Sequence, residues 1–524
     1  MSGLLILLLK LFRRIRPDLL IGFVLFLLPL GLFWQVTVGD KTLLPADNLY
    51  QYPPWSNYRV QLGVPVVPHN ALLSDLVLEN LEWKTFTRQA IVNRELPLWN
   101  PFLFSGTPFL AEGQHSALYP FSVIDYILPL DKAYGWFTVS QLWLAGIFMY
   151  WFMRGLGSRR IGAVIAAIAY QLSAFFLASV VFQMVIAAAA WLPFLLLMVE
   201  FVIQRRSVLG KPTIIPWVAL GGLGLGLCIL AGHVEFIYYS LLVMAFWAVC
   251  RLSTQIRSAL KGRIALLRLG QSAVSLIALV VIGIGIGAIQ FVPLLELAGQ
   301  NFRDGSASFD TVRGYAYPPR HALEFLMPNV YGSPAQHDYF DLFAPAGQQP
   351  TIVQWTRPDG SIATDTYWEI NKNYVEGACY VGLLTLILAA IAVLDTVRNH
   401  LNPFRGITTM LALLSVISLA FVFGTPLYAL LYYGLPGVNQ LHSPFRWVFP
   451  LTLALAALAG FGADALSQAH AKRWGEPVPI RANNDIKNEL VATPTATFKM
   501  ARPLGYGLIV VGLIVVLGLS LIHI

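Results

Sequence analysis

The chain has 524 residues, of which 57% are hydrophobic and only 12% are charged. Soluble domains carry roughly twice that charged fraction, and uncharged stretches of about 20 residues, long enough to cross a bilayer core, recur along the whole length. The composition therefore excludes a soluble globular domain and predicts an all-α, polytopic helical membrane protein. The net charge of +8 does not indicate nucleic acid, because the basic residues lie between the apolar stretches.

Hydropathy along the chain predicts about eleven transmembrane helices. Their predicted ranges are Leu19–Val38, Tyr134–Met153, Ile161–Ser179, Met184–Ile203, Thr213–Leu230, Val234–Cys250, Gln271–Leu294, Gly377–Asp395, Ile407–Phe423, Trp447–Leu466 and Leu504–Gly518. Residues 1–18 are expected to form a cytoplasmic or interfacial N-terminus ahead of an uncleaved span. Their basic residues follow the first apolar run instead of preceding it, unlike those of a secretory signal.

Lysine and arginine concentrate in alternate loops, which predicts the topology. The residues concerned are Arg13, Arg14, Arg16, Arg154, Arg159, Arg160, Arg205, Arg206, Lys211, Arg251, Arg257, Lys261, Arg263, Arg268, Arg398 and Arg405. By the positive-inside rule the N-terminus is cytoplasmic, and the basic excess is a topology signal. Residues 39–133 (the first loop) and 295–376 (the second loop) are then extracytoplasmic. The first loop precedes the spans within 134–294, and the second loop precedes the spans within 377–466. A cytoplasmic loop, 467–502, then leads to the last span at 503–518.

The first loop contains an internal echo. An acid, a polar residue and a tryptophan recur at intervals of four: Asp47, Gln51 and Trp55 in "ADNLYQYPPW", and Asp75, Glu79 and Trp83 in "SDLVLENLEW". The second copy has no proline, so its three side chains are expected along one helix face. In the first copy Pro53 and Pro54 prevent a helix from continuing. Asp47 is therefore expected in a short irregular piece beyond the first span.

The run from Arg94 to Pro120 is rich in aromatic residues but broken by prolines. It is too apolar for a solvated linker and too broken for a span, so we predict an interfacial layer against the outer helix ends. Further polar residues are predicted at the same face: His233, Glu235, Glu296, Gln300, Glu376, His442 and Arg446. Polar groups near a membrane boundary pair or line a wet cavity. Each alone could be a snorkelling side chain, but their collective bias to one side indicates a site.

Several familiar sites are not indicated. Cys228, Cys250 and Cys379 lie in or beside spans without ligand spacing, so neither a disulfide framework nor a zinc site is predicted. The runs "GLGLG" at 222–226 and "GIGIG" at 283–287 lie inside spans, where small residues favour close helix packing over phosphate binding. No cofactor is expected, and no spacing indicates a metal, although a divalent ion in the reaction is left open.

Four segments together resemble the bacterial YfhO family of membrane proteins: "ADNLYQYPPW", "ELPLWNPFLFSGTPFLAEGQHSALYP", "NYVEGACYVGLLTLILA" and "VNQLHSPFRW". That family is grouped with GT-C glycosyltransferases, which take sugars from polyprenyl-phosphate carriers. The resemblance implies a GT-C-like helical core, a bacterial plasma (inner) membrane location and a first loop that forms part of the active site. It also implies a catalytic acid shortly after the first span. Asp47 has that position, and the echo leaves Asp75 as the alternative.

The chemistry of sugar transfer assigns the other candidates. A carboxylate can act as general base, and positive or hydrogen-bonding groups must receive the departing phosphate. Arg446 and His442 are candidates for the phosphate. The remaining substrate-binding candidates are Gln51, Trp99, Glu112, His115, His233 and Glu235. The expected partners are a polyprenyl-phosphate sugar donor, a cell-envelope polymer or glycolipid acceptor and the lipid bilayer, but no nucleic acid.

Two other functions are compatible with the same residues. A flippase or transporter for a lipid-linked sugar would have the same polar cluster without a reaction. A non-catalytic membrane scaffold for another transferase is the third possibility. A transporter is expected to show interrupted spans in two corresponding halves and ionisable groups at the midplane. The sequence shows few midplane charges and no clear repeat of spans, which favours the enzyme.

The end of the chain differs from the rest. Residues 503–518 read as a span, but "LSLIHI", Leu519–Ile524, follows without flanking aromatics or a basic stop. The same hexapeptide results from translating a common sequencing adapter. We therefore expect residues 519–524 to be an artefact and the natural protein to be longer.

Overall fold

The structure is a computed structural model that describes residues 2–66, 68–70, 73–208, 210–260, 262–300, 307–331, 352–356, 362–366, 374–441 and 443–473. This part is mostly helical, and six of its helical segments are long and apolar enough to cross a membrane. They are Arg160–Val181, Gln183–Gln204, Val234–Ile256, Arg263–Ala298, Arg405–Val422 and Pro444–Gln468. The prediction of a helical, multi-pass membrane protein is thus confirmed in its general form. The last predicted span and residues 519–524 lie outside the described residues.

The α-helices are numbered here in chain order. They are α1 (Ser2–Leu32), α2 (Trp34–Thr37), α3 (Leu81–Val92), α4 (Phe109–Glu112), α5 (Val123–Ile127), α6 (Leu130–Gly155), α7 (Arg160–Gln171), α8 (Ala174–Ala178), α9 (Gln183–Ala190), α10 (Leu192–Gln204), α11 (Ile215–Leu230), α12 (Val234–Ala259), α13 (Arg263–Ala298), α14 (Phe309–Gly314), α15 (Tyr374–Gly377), α16 (Leu383–Arg398), α17 (Arg405–Val422), α18 (Ala429–Gly434) and α19 (Val448–Arg473).

The remaining regular elements are short. Turns of 3₁₀-helix span Ala46–Gln51, Trp55–Tyr58, Pro120–Ser122, Ser179–Val181, Pro319–Phe325, Pro426–Tyr428, Val438–Gln440 and Pro444–Trp447, and Leu76–Asn80 is π-helical. Two antiparallel hairpins add a small amount of strand to a fold that was predicted to be all-α. They pair β1 (Ser207–Val208) with β2 (Lys211–Pro212), and β3 (Ile352–Thr356) with β4 (Ile362–Thr366).

The N-terminal helix is longer than predicted. A boundary was expected after residue 18, but α1 runs without a break from Ser2 to Leu32 and includes Pro17 and Pro29. The short helix α2 then leads to the first loop. Trp143 on α6 donates a hydrogen bond from its Nε1 to the Gly22 carbonyl at 3.0 Å, which holds α1 against α6.

Two consecutive predicted spans are interrupted. The third divides into α7 and α8 around Leu172 and Ser173, and the fourth divides into α9 and α10 at Trp191, just before Pro193. A helix break inside a membrane needs other partners for its backbone groups. The segment that follows α15 supplies one, because the Ala174 N–H donates to the Tyr380 carbonyl at 2.9 Å.

The helices differ strongly in how much of their surface they bury. The spans Gln183–Gln204 and Pro444–Gln468 are 89% buried and form the centre of the bundle, whereas that of α13 is only 22% buried. The helix α13 is therefore peripheral. It packs mainly against α11.

Glycines make the contact between α11 and α13 close, as predicted for "GLGLG" and "GIGIG". Four of the six glycines in these runs lie directly over a side chain of the facing helix, and an added Cβ would come within 2.5–2.6 Å of it. The pairs are Gly222 with Ile282, Gly226 with Ile286, Gly283 with Leu225, and Gly287 with Ile229. The glycine runs serve helix packing.

The two copies of the echo fold differently. In the first, 3₁₀-helix ends at Gln51, before Pro53 and Pro54, as predicted. In the second, the π-helical turn precedes α3, and it rotates Trp83 into the core while Asp75 and Glu79 stay exposed. The expectation of three side chains on one face is wrong, because a π-turn holds more residues than an α-turn.

Candidate active site

Asp47 lies on the 3₁₀-helix Ala46–Gln51, shortly after α2. Its Oδ2 accepts a hydrogen bond from the His69 main-chain N–H at 2.8 Å and lies 2.9 Å from Nδ1 of the His69 ring. No described residue donates a hydrogen bond to the other oxygen, Oδ1, and the side chain is 19% exposed. One carboxylate oxygen is thus fixed in place, and the other is open to a ligand.

His69 was not predicted as a site residue. Its ring is 72% exposed, so solvent screens its charge interaction with Asp47. Nothing in the spacing of the sequence signals the contact, since His69 lies 22 residues after Asp47. The contact exists because the chain turns back between the two echo copies.

The backbone around Asp47 is held by buried amide groups. Asn48 is fully buried, and its Nδ2 donates to the Asn70 carbonyl at 3.1 Å. Gln51, a predicted substrate-binding residue, donates from Nε2 to Asn48 Oδ1 at 3.1 Å. In the structure Gln51 therefore supports the turn that carries Asp47.

Asp75, the alternative base, is close by but differently situated. The 3₁₀-helix that carries Asp47 packs against Leu76–Asn80, the π-helical turn that Asp75 precedes, so the echo copies are neighbours. Asp75 is exposed, and no described residue donates a hydrogen bond to its carboxylate. Asp75 is therefore solvated and has no fixed orientation.

Asp75 begins an acidic row that continues into the aromatic segment. Burial raises the pKa of Glu79, and the nearby charge of Asp75 raises it further. Burial also raises the pKa of Glu112; a hydrogen bond from Thr107 lowers it, and the charge of Glu79 raises it. The Thr107 hydroxyl donates to Glu112 Oε1 at 3.3 Å, and Glu112 Oε2 is a buried oxygen without a hydrogen-bond partner among the described residues.

His115 and Trp99 have different surroundings. Burial lowers the pKa of His115 to about 4, so the ring is neutral. It stacks on Phe109 with 4.3 Å between ring centroids, and its nitrogens contact the Leu110 carbonyl and the Ala117 N–H. Both nitrogens are thus engaged within the protein. Trp99 is 56% exposed.

A second polar cluster surrounds Arg446 at the start of the 444–468 span. Its guanidinium contacts the carboxylates of both Glu235 and Glu376. Glu235 also accepts a hydrogen bond from the Tyr239 hydroxyl at 2.6 Å. Burial raises the pKa of Glu376 to about 8. The single positive charge of Arg446 faces two carboxylates. A proton on Glu376 at neutral pH leaves only the Glu235 carboxylate to balance that charge.

His233 faces the same cluster. Burial and, to a smaller extent, the charge of Arg446 lower its pKa to about 3, so the ring is neutral. Its Nδ1 is buried without a hydrogen-bond partner among the described residues. His442, the other predicted phosphate ligand, lies outside the described residues.

The first loop is docked onto the turn that carries His233. The Ser116 hydroxyl donates to the Ala231 carbonyl at 2.7 Å, and Gln290 Nε2 on α13 donates to the Gly113 carbonyl at 2.7 Å. Gly232, at a φ of +98°, approaches Gly113 so closely that a Cβ would lie 2.4 Å from its carbonyl oxygen. Glu112 and His233 are therefore sequence neighbours of two residues that contact each other, Gly113 and Gly232. No hydrogen bond or ion pair joins Asp47 to Arg446.

Neither a metal-binding group nor a cavity adds a further member to the site. No group of three or more His, Cys, Asp or Glu side chains able to hold a metal occurs in the part of the chain that the structure describes. A cavity of about 440 Å³ lies elsewhere, beside α14 and the end of α17, and none of the candidate residues lines it.

The fold and the polar groups define a helical multi-pass membrane protein with two ionisable clusters, one at Asp47 and one at Arg446. Comparison of the chain with family models, with characterised proteins and with solved structures finds no match. The resemblance to the YfhO family is therefore a hypothesis that rests on the four sequence segments.

Proposed function

We propose that this protein is a GT-C-type glycosyltransferase of the YfhO family that uses Asp47 as its general base. The observation that carries the proposal is the state of the Asp47 carboxylate. Oδ2 is anchored by the His69 N–H at 2.8 Å, and Oδ1 accepts no hydrogen bond from the described residues. A base that is oriented by one oxygen and open at the other can take a proton from a bound hydroxyl group.

In the proposed reaction an acceptor hydroxyl attacks the anomeric carbon of a sugar linked to polyprenyl phosphate. The new bond joins the acceptor oxygen to the anomeric carbon. The bond from that carbon to the phosphate oxygen breaks, and the phosphate leaves with the electron pair. The hydroxyl proton goes to Asp47. Atoms and charge balance without a cofactor.

The environment favours Asp47 over Asp75 as the base. Asp75 is exposed and has no hydrogen-bond donor among the described residues, so its carboxylate would have to be ordered when the substrate binds. Asp47 is already held in one orientation, which lowers that cost. The acids of the row, Asp75, Glu79 and Glu112, are then available to bind sugar hydroxyl groups.

Arg446 is the proposed ligand of the departing phosphate, together with His442. The guanidinium already contacts Glu235 and Glu376, so one carboxylate must give way before a phosphate can bind. Burial raises the pKa of Glu376 to about 8. A protonated Glu376 holds the guanidinium less strongly than a charged one, and it is the group that we expect to be displaced.

The donor and the acceptor define the proposed setting. A polyprenyl-phosphate sugar would reach Asp47 from the bilayer, and the acceptor would be a cell-envelope polymer or glycolipid. This requires the first loop to be extracytoplasmic and the N-terminus cytoplasmic, in a bacterial plasma membrane. The arginine-rich alternate loops support that orientation.

The test compares two matched variants, Asp47→Asn and Asp75→Asn, which keep side-chain shape and remove the charge. Purified protein is incubated with labelled polyprenyl-phosphate sugars, and release of polyprenyl phosphate is measured. We expect Asp47→Asn to lower turnover about 10²–10⁴-fold, the usual contribution of a general base, and Asp75→Asn to stay near the unmodified protein. Full turnover in Asp47→Asn would remove Asp47 from the mechanism.

One observation favours the second candidate, a carrier for a lipid-linked sugar. Interrupted helices are common at transport sites, and the spans containing Leu172–Ser173 and Trp191 are both interrupted. These breaks lie in consecutive spans, however, and not in corresponding positions of two halves. The enzyme is therefore the better-supported proposal.

A further inference from the structure

A hairpin in the first loop exposes a cluster of four apolar side chains, three of them aromatic. Leu98, Trp99, Phe102 and Phe104 have 53%, 56%, 82% and 93% of their surface exposed. The whole stretch 96–111 contains no charged residue. Exposing this much apolar surface to water is unfavourable by roughly 25 cal/mol per Å², so such a patch indicates a binding surface.

The hairpin is held in shape by its own backbone. Asn100 and Thr107 exchange two main-chain hydrogen bonds, at 2.8 and 2.9 Å. Gly106 has a φ of +119°, and the Trp99 indole lies so close that a Cβ there would come within 2.6 Å of it. The aromatic side chains are therefore presented on a formed frame.

Contacts place the hairpin beside helix α13. Phe102 lies edge-on to Phe86 with 6.3 Å between ring centroids, and Phe86 lies edge-on to Phe109 at 4.9 Å. Phe109 begins α4, which packs on α13. The hydrogen bond from Gln290 on α13 to the Gly113 carbonyl shows at which height along α13 this contact lies.

The predicted span within α13 gives the depth of that level. The helix has 36 residues, and hydropathy places its span at Gln271–Leu294. The outer end of that span lies four residues beyond Gln290, which is about 6 Å at about 1.5 Å per residue. Gly113, which accepts the hydrogen bond from Gln290, therefore lies near the outer boundary between hydrocarbon and headgroups.

The surface of α13 near this level is also apolar and exposed. Ile289, Val292 and Leu295 have 54%, 57% and 57% of their surface exposed. The hairpin adds further exposed apolar surface near this end of α13. Tryptophan and other amphipathic groups favour the membrane interface, and a hairpin backbone with unpaired polar groups requires headgroups or water nearby.

We propose that the hairpin Leu98–Thr107 is an interfacial wedge whose partner is the lipid bilayer itself. Phe102 and Phe104 enter the region between headgroups and acyl chains, and Trp99 lies at its polar edge. The wedge anchors the first loop to the membrane. This inference is independent of the proposed glycosyl transfer. It rests on the position of the hairpin along α13, on the exposure of its apolar side chains and on the absence of charged residues from its sequence.

The test places an environment-sensitive fluorophore on a cysteine that replaces Phe104, in a Cys250→Ser background. Cys250 is the partly exposed native cysteine, whereas Cys228 and Cys379 are buried. The matched control is Glu82→Cys on the exposed polar face of α3. Both proteins are reconstituted in phosphatidylcholine–phosphatidylglycerol vesicles, some carrying lipids with a spin label near the headgroup.

We expect spin-labelled lipid to quench the probe at position 104 at least several-fold more than the probe at position 82, and aqueous iodide to do the reverse. Equal iodide quenching at the two positions would overturn the proposal, because the hairpin would then lie in water. Protection of position 104 from both quenchers would also overturn it, since a protein partner or a second copy would then cover the aromatics.

Discussion

Asp47 and His69 meet through two contacts to one carboxylate oxygen, 2.8 Å from the His69 main-chain nitrogen and 2.9 Å from its ring Nδ1. The pair ties the segment after α2 to the segment before the second echo copy. The main-chain contact depends only on the fold, whereas the ring contact depends on the histidine. A substitution can therefore remove one contact and keep the other.

We predict that His69→Ala lowers kcat about 2- to 5-fold, because an exposed contact to a charged group contributes up to about 1 kcal/mol. KM for the donor should stay unchanged, because His69 positions the base and is not expected to bind the sugar. The control is His69→Asn, whose amide nitrogen can replace Nδ1 and should restore most of the rate. Equal losses in both variants, or a change confined to KM, would contradict this role.

A buried ion pair stabilises the first loop. Lys84 Nζ lies 2.9 Å from Asp125 Oδ2, the side chains are 3% and 0% exposed, and Lys84 also donates to the His115 carbonyl at 3.2 Å. We predict that Lys84→Met costs about 3–5 kcal/mol, because it leaves a buried charge uncompensated. The double variant Lys84→Met/Asp125→Leu should recover most of that loss. Thermal unfolding in detergent measures both, and a double variant as unstable as the single one would refute the explanation.

The contact between α11 and α13 allows a matched pair of glycine substitutions. A Cβ on Gly283 would lie 2.6 Å from Leu225, whereas nothing lies within 4 Å of a Cβ on Gly285. We expect Gly283→Ala to destabilise the protein by about 1–3 kcal/mol, as overpacking does. Gly285→Ala should be neutral or stabilising by up to about 1 kcal/mol, since alanine favours helix. Similar melting temperatures for the two variants would show that the helices are not this close.

The stability of the protein should depend on His115 in acid. Burial lowers its pKa to about 4, and the unfolded value is near 6.5. Between these values the unfolded chain binds more protons, so folding stability falls as the pH falls from about 6.5 to 4, by up to about 1.4 kcal/mol per pH unit. His115→Asn keeps an acceptor for the Ala117 N–H and removes the titration. Its unfolding free energy should show a shallower pH dependence over this range, and an unchanged slope would assign the effect elsewhere.

The sequence predicted the features that follow from local periodicity and residue size. Apolar runs indicated a helical, multi-pass membrane protein, Pro53 and Pro54 ended the first echo copy, and the glycines of α11 and α13 marked a close contact. Each of these is determined within a few residues of chain.

Features that depend on distant contacts could not be predicted. His69 meets Asp47 only through the path of the chain between them. The break at Ser173 depends on the Tyr380 carbonyl, more than 200 residues further along the chain, which replaces a helical partner. Arg446 read as an available cation, but the fold places two carboxylates on it. The π-turn before α3 likewise has no local sequence signal that separates it from an α-helix.

We propose that the protein breaks the bond between a sugar and polyprenyl phosphate. This can be tested by reconstituting it in vesicles with a donor labelled separately in the sugar and in the isoprenoid, with cell-envelope acceptors on one side. We expect the labels to separate: sugar label appears on the acceptor, isoprenoid label stays in polyprenyl phosphate, and Asp47→Asn stops both. Movement of the donor across the bilayer with both labels still on one molecule would show instead that the protein is a carrier.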